Sequence, residues 1–208
     1  MNLADRSTEF LGLRRAIRLE WLTIAWNAAE VFITIGLGIA AGSLALVAFG
    51  LDSLVEIWAS VAVIRHLRQD RAGSAQRPPA QALRRVAAAF ALLAAFLLVA
   101  ASARLATGAQ PDDSPIGIVY LAVTVLVMLG LARAKAAVGR DLGDTPLSAE
   151  ARMTFLDACL AASVLAALVL DATLGWWWSD PLAAMVVGGA AAIEARENFQ
   201  LAGREQGS

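Results

Sequence analysis

The stretch "FGLDSLVEIWAS", residues 49–60, decides how this sequence folds. It lies within an apolar segment from Gly42 to Ile64 whose only charged residues are Asp52 and Glu56. The segment is long enough to cross a membrane as a helix. A charged side chain at the centre of a bilayer costs at least ~2.5–3.5 kcal/mol, so both acids need a partner there: a cation, another side chain or a proton.

The composition of the whole chain indicates a membrane protein. Of its 208 residues, 59% are hydrophobic and 17% are charged, whereas soluble proteins average about 45–50% apolar and about 25% charged residues. The net charge of −1 argues against a nucleic-acid partner. The single cysteine excludes an intramolecular disulfide and a CxxC motif. The N-terminus lacks the apolar core and cleavage site of a signal peptide, so the first apolar segment is expected to be retained.

The apolar segments predict an all-α membrane protein, a bundle of six transmembrane helices. A hydrocarbon core of about 30 Å needs ~20 helical residues. The predicted spans are about residues 19–41, 43–64, 83–106, 116–138, 150–171 and 176–198. They make up a transmembrane domain at 19–199, which follows a cytoplasmic N-terminal segment at 1–18 and precedes a short cytoplasmic tail at 200–208.

The charges in the connections predict the orientation of the bundle. Three connections, "AAGS", "TGAQPDDSP" and "DATLGWWWSD", contain no Lys or Arg, and the basic residues that flank the spans lie on the other side. The positive-inside rule therefore places both termini in the cytoplasm. We expect a multi-pass protein of the inner (plasma) membrane.

Polar residues within the spans predict where the function lies. Asp52 is ten residues beyond Gly42, roughly 15 Å at helical rise, and Glu56 follows on the same helix face. Span one carries Asn27 and Glu30, and span five carries Asp157. These oxygen ligands are expected to converge near the middle of the membrane from spans one, two and five.

Several carboxylates at one depth repel each other unless a cation or protons neutralise them. We expect no Lys or Arg near that depth, so a structural salt bridge is hard to assemble there. The pattern favours a divalent cation that is exchanged against protons.

Four further residues are candidates for a secondary or relay role. Glu30 is expected to be a relay or pore-lining group, and Glu150 a solvated residue in a cytoplasmic vestibule. Met153 and Thr154 lie one turn before Asp157. Met153 is expected to pack rather than to coordinate an ion.

Four segments carry a resemblance to a known family. "AGSLALVAFGLDSLVEIWAS" resembles the second span of the cation diffusion facilitators, in which a short turn leads into a DxxxD or HxxxD pair. "AEARMTFLDACLAASVL" resembles their fifth span, usually ADAxHxxxDxxxS, and "GWWWSDPLAAMVV" resembles the sixth, which commonly begins with a DP pair. "EWLTIAWNAAEVFITIGLGIAAGS" is similar to the first span. The resemblance extends from about residue 14 to residue 200.

The resemblance implies an alternating-access exporter of divalent metal ions, usually driven by proton antiport and usually dimeric. It implies no resident cofactor. By position, Asp52 and Glu56 match the second-span metal pair and Asp157 matches the fifth-span acid. Asn27 is a candidate for a fourth oxygen ligand. The chain is expected to be a transmembrane-only member, without the C-terminal cytoplasmic domain that is common in the family.

One departure from the family pattern bears on the choice of ion among Zn²⁺, Mn²⁺, Fe²⁺ and Co²⁺. Met153 stands where the fifth-span pair usually has His. Imidazole suits zinc, whereas carboxylates and an amide oxygen favour the harder ions Mn²⁺, Fe²⁺ or Co²⁺.

Two alternatives stay open beside a transporter. The first is a non-transporting membrane partner or regulatory protein that keeps this fold, in which Asp52 and Glu56 are a buried structural pair. The second is an intramembrane enzyme in which the acids imitate an aspartyl protease dyad. The YD and GxGD-like contexts of such proteases are absent from the sequence, so we predict that the protein is not an enzyme.

Overall fold

The computed structural model describes residues 3–70 and 80–204, and every regular element in these two ranges is an α-helix. Residues 71–79, within the predicted connection between spans two and three, lie outside the described residues. The helices are α1 Leu3–Ala41, α2 Leu44–Asp70, α3 Ala80–Thr107, α4 Pro115–Leu142, α5 Thr145–Leu174 and α6 Ser179–Arg204. This architecture confirms the prediction of an all-α helical bundle.

Five of the six helices, α1 to α5, are long and apolar enough to span a membrane. The sixth is not among them, because charged residues near both of its ends lower its hydropathy. It nevertheless packs closely on α3, where Ala191 and Ala195 join Phe90 and Ala94 in one buried cluster. The α6 helix is therefore part of the bundle, and the cytoplasmic location of both termini stays a prediction.

The helices associate chiefly as three pairs: α1 with α2, α4 with α5, and α3 with α6. The first two pairs are antiparallel neighbours joined by very short turns. Gly42 and Gly143 end α1 and α4 with φ values of 63° and 65°, a left-handed conformation that glycine adopts without steric cost. Asp144 then starts α5, since its side chain accepts a hydrogen bond of 2.7 Å from the backbone amide of Leu147.

The interior of the bundle is unusually polar. One face of α1 buries five polar side chains that recur every three or four residues and are fully inaccessible to solvent: Glu20, Thr23, Asn27, Glu30 and Thr34. Shorter buried polar stripes lie on α2 (Ser53, Glu56 and Ser60) and on α5 (Glu150, Thr154 and Asp157). Large apolar side chains such as Trp21, Phe32 and Trp58 are exposed on the outside. This distribution suits a bundle surrounded by lipid with a polar interior.

At one end of the bundle, α6 caps the N-terminus of α2. Asp180, in the first turn of α6, accepts hydrogen bonds from the hydroxyl of Ser43 and from the backbone amides of Leu44 (3.0 Å) and Ala45 (3.4 Å). Arg104 on α3 donates to the carbonyl of Gly42 in the adjacent turn. The aspartate of the DP pair therefore stabilises the start of another helix and fixes α6 against α2.

Candidate cation site

A cavity of about 70 Å³ lies between α2, α3, α5 and α6. This volume accommodates a metal ion with a few water molecules. Apolar groups, among them Phe90 and Met153, form much of its wall. Its acidic lining comes from three helices and consists of Asp52, Glu56, Asp157 and Glu194. The structure thus brings the three predicted acids of spans two and five to one cavity.

Glu56 and Asp157 are the most deeply buried acids of this cavity, with 7% and 5% of their surfaces exposed. Neither carboxylate accepts a hydrogen bond of normal geometry, although the two are close enough to interact with each other. Asp52 is less buried and also interacts electrostatically with Glu56. Leaving a buried acceptor unpaired costs about 1–3 kcal/mol, and more when the group is charged. The arrangement therefore favours a bound cation or bound protons.

The acids surround the cavity without forming a closed coordination shell. In the part of the chain that the structure describes, no three His, Cys, Asp or Glu side chains are close enough together to hold a metal ion as they stand. An ion bound here would draw the carboxylates inwards from the cavity wall.

Asn27, the predicted fourth ligand, is not part of the cavity lining. It lies fully buried in the polar stripe of α1, and neither its amide nitrogen nor its amide oxygen has a hydrogen-bond partner. Its unpaired oxygen leaves it available as a ligand, and that role stays a prediction.

Glu30, the predicted relay, also lies outside the cavity lining, and its carboxylate is fully hydrogen-bonded. Ser53 donates to Oε1 at 2.6 Å, while Thr124 and Trp26 each donate to Oε2 at 3.1 Å. These donors come from α2, α4 and α1. In the observed state Glu30 connects three helices, and the predicted relay role stays a prediction.

The expectation that no basic residue lies within the membrane near this depth is wrong. Lys135 on α4 is fully buried, and its Nζ lies 2.5 Å from Oε1 of Glu150 and 3.3 Å from Oε2 of Glu20. Lys135 falls near the end of the predicted span 116–138, and the charge pattern counts it among the basic residues on the cytoplasmic side. However, α4 continues for seven residues beyond it, to Leu142. Lys135 therefore points into the bundle about two turns before the end of the helix.

The prediction that Glu150 is solvated is also wrong, because Glu150 is buried inside the bundle. Glu150 is 2% exposed, and its Oε1 accepts hydrogen bonds from Lys135 and from the hydroxyl of Ser60, the latter at 3.1 Å. Lys135 also donates to Oγ1 of Thr154 at 3.1 Å. We call this buried network the Lys135 cluster; its members are Glu20, Ser60, Lys135, Glu150 and Thr154.

Sequence reasoning missed two acids, each of which left a signal. Glu20 continues the three- and four-residue spacing of the polar stripe on α1, a periodicity that predicts its burial. Glu194 interrupts the run of small residues "GGAAAIEA" on α6. It is partly exposed, lines the cavity and interacts electrostatically with Asp52.

The fold and the cavity define a class: a helical membrane protein with unpaired acids buried inside its bundle, an arrangement typical of proteins that move ions or protons. The family of the cation efflux transmembrane domain matches residues 84–204, which is more than half of the chain. The chain belongs to this family, the cation diffusion facilitators, whose members transport divalent metal cations and are not enzymes. The predicted resemblance is thereby confirmed.

The matched region covers α3 to α6 and includes Asp157, Lys135 and Glu194, whereas Asp52 and Glu56 lie before it. A search of curated proteins finds no match to the chain.

Proposed function

We propose that the protein exports a divalent metal cation that binds to Asp52, Glu56 and Asp157 in the cavity, in exchange for protons. The observation that carries this proposal is the pair formed by Glu56 and Asp157. Their carboxylates lie on different helices, are almost completely buried, line one cavity and accept no hydrogen bond of normal geometry. A divalent ion would supply positive charge directly between them, whereas the nearby ammonium of Lys135 is paired with Glu20 and Glu150.

The donor set favours a hard or intermediate ion. Carboxylate oxygens suit Mn²⁺, Fe²⁺ and Co²⁺, and they also bind Zn²⁺. Met153 lines the same cavity and presents a thioether where the family usually has an imidazole. Asn27 would contribute an amide oxygen if α1 moves towards the cavity. This ligand set would bind Zn²⁺ less selectively than a set that contains histidine.

Proton exchange follows from the burial of the acids. When the ion leaves, Glu56 and Asp157 remain beside each other in a poorly hydrated interior, and their charges repel. Protons that bind to the empty site remove this repulsion, and deprotonation restores it for the next ion. Ion release on one side of the membrane would thus be linked to proton uptake on the same side.

The test is transport by purified protein in liposomes. The wild-type protein is expected to accumulate Mn²⁺ or Zn²⁺ when an opposing pH gradient is applied. The change Asp157→Asn keeps the shape of the side chain but removes its charge, so transport should fall to the level of empty liposomes. Asp171→Asn is the matched control, because Asp171 lies on the same helix, is partly exposed and is not part of the cavity.

If Asp157→Asn transports the ion at the wild-type rate, the assignment of Asp157 to the cation site is contradicted. Wild-type liposomes that move none of the four candidate ions would instead favour the second candidate function, a non-transporting membrane partner. That candidate draws on one observation: the described acids form no closed metal shell. An inner-membrane location and a homodimer remain proposals that derive from the topology and the family resemblance.

A further inference from the structure

We propose that the Lys135 cluster sets the cation affinity of the neighbouring Glu56–Asp157 site through its charge, so that the site releases the ion as well as binding it. This inference rests on the proposed function. It assigns Lys135 and Glu20 as positioning residues that act on the site without touching the ion.

The cluster is a network of charged and hydroxyl side chains contributed by four helices. Glu20 comes from α1, Ser60 from α2, Lys135 from α4, and Glu150 with Thr154 from α5. All five side chains are buried. Among the buried residues that the structure describes, Lys135 is the only one with a cationic side chain. Burying an ammonium group is expensive, and here two carboxylates offset that cost.

The cluster lies directly beside the site along two helices. Thr154 precedes Asp157 by one turn, and Ser60 follows Glu56 by one turn. The ammonium of Lys135 and the carboxylate of Glu150 are both close enough to act electrostatically on Glu56. A change of charge in the cluster therefore changes the electrostatic potential at the site.

The cluster contains more acidic groups than basic ones. One ammonium, that of Lys135, faces the carboxyl groups of Glu20 and Glu150, and Oε1 of Glu20 and Oε2 of Glu150 have no hydrogen-bond partner. A single ion pair needs one carboxylate for one ammonium. The second acid adds negative charge whenever it is ionised, and this charge reduces the repulsion that Lys135 exerts on an incoming ion.

Lys135 and Glu20 are therefore expected to change the cation affinity of the site in opposite directions. In a protein interior a unit charge several ångströms away acts strongly on a divalent ion. Without Lys135 the three site acids would hold the ion too tightly, whereas without Glu20 the ammonium would act on the site less screened. Conduction of an ion requires binding that is strong enough for entry and weak enough for release.

The test compares Lys135→Gln with Glu20→Gln in the full chain. Equilibrium binding of Mn²⁺ and Zn²⁺ in detergent gives Kd, and transport in liposomes gives KM and kcat. Lys135→Gln is expected to lower Kd on the order of tenfold and to lower kcat, because release slows. Glu20→Gln is expected to raise Kd and KM by a similar factor. Arg133→Gln, which removes an exposed cation two residues earlier on α4, should leave Kd unchanged.

Two further variants keep the proposal falsifiable if Lys135→Gln fails to fold. Lys135→Arg keeps the charge and should retain a Kd close to that of the wild type. Glu150→Gln removes the other acid and should raise Kd, as Glu20→Gln does. A purely structural cluster would give losses in the same direction for all charge-removing variants.

The outcomes separate this inference from the proposed function. If the wild-type protein binds the ion and Glu20→Gln has the same Kd, the inference is overturned and the transporter proposal is unaffected. The same conclusion follows if Lys135→Gln and Glu20→Gln shift Kd in the same direction. A wild-type protein that binds and moves no divalent ion would overturn both.

Discussion

The change Asp180→Ala tests the connection between α6 and α2. Asp180 is fully buried and accepts three hydrogen bonds, from the Ser43 hydroxyl and from the amides of Leu44 and Ala45. These amides belong to the first turn of α2 and have no partner within their own helix. Alanine removes every acceptor at once and leaves the donors buried.

The expected loss can be worked from these contacts. Loss of a helix cap costs about 0.5–2 kcal/mol, and each buried donor left unpaired costs about 1–3 kcal/mol. The cost of burying the carboxylate disappears as well, which offsets part of this loss. We expect the free energy of unfolding to fall by about 3–5 kcal/mol, which corresponds to a decrease of roughly 6–20 °C in Tm for a chain of this size. Asp180→Asn, which keeps one acceptor oxygen, should lose less than half as much.

Thermal unfolding in detergent, followed by circular dichroism and by the fraction of monodisperse protein after heating, measures this difference. Asp113→Ala is the control, because Asp113 is an exposed acid in the turn before α4. The reasoning is refuted if Asp180→Ala is as stable as Asp113→Ala, since the buried cap would then contribute nothing.

Two further predictions concern packing and ion entry. A Cβ at Gly50 would lie 2.7 Å from Cγ1 of Ile35, so Gly50→Ala should lower the free energy of unfolding by about 1–3 kcal/mol. Gly36→Ala, which meets nothing within 4 Å, should be neutral or stabilising by up to ~1 kcal/mol; equal melting temperatures for the two variants would contradict the close α1–α2 contact. Glu194→Gln should raise KM for ion transport several-fold with little change in kcat, because Glu194 adds negative charge to the cavity lining. The same change at exposed Glu197, one turn further along α6, should leave KM unaltered, and identical KM values would exclude Glu194 from ion recruitment.

The bundle was predictable from the sequence because a bilayer constrains a helix residue by residue. A span must be apolar over about 20 residues, and its backbone hydrogen bonds must close within the helix. Length and hydropathy therefore located all six helices, although every helix extends beyond its predicted span at one end at least, and α1 begins sixteen residues earlier, at Leu3 instead of residue 19. Helix ends outside the membrane follow other rules, and Asp144 and Gly143 set the short turn between α4 and α5 through local capping.

The candidate site was predictable in part. Acids in the middle of a span are costly to bury in lipid, so they indicate a functional site. This reasoning identified Asp52, Glu56 and Asp157 as candidate site residues. It failed for Lys135, because a basic residue near the end of a span looks the same in sequence whether it reaches the headgroups or turns inwards. The direction of that side chain depends on the rotation of α4 against α1 and α5, which hydropathy does not report.

The sequence by itself determined that this is a helical membrane protein with carboxylates inside its apolar segments, because the cost of burying charge in lipid acts on each residue separately. Only the tertiary structure decided which acids are satisfied and which are not. Glu30 receives three donors and Glu150 receives an ammonium, while Glu56 and Asp157 accept no hydrogen bond of normal geometry and line a cavity. That difference depends on partners supplied by other helices, and only the packing of the bundle brings those partners within reach.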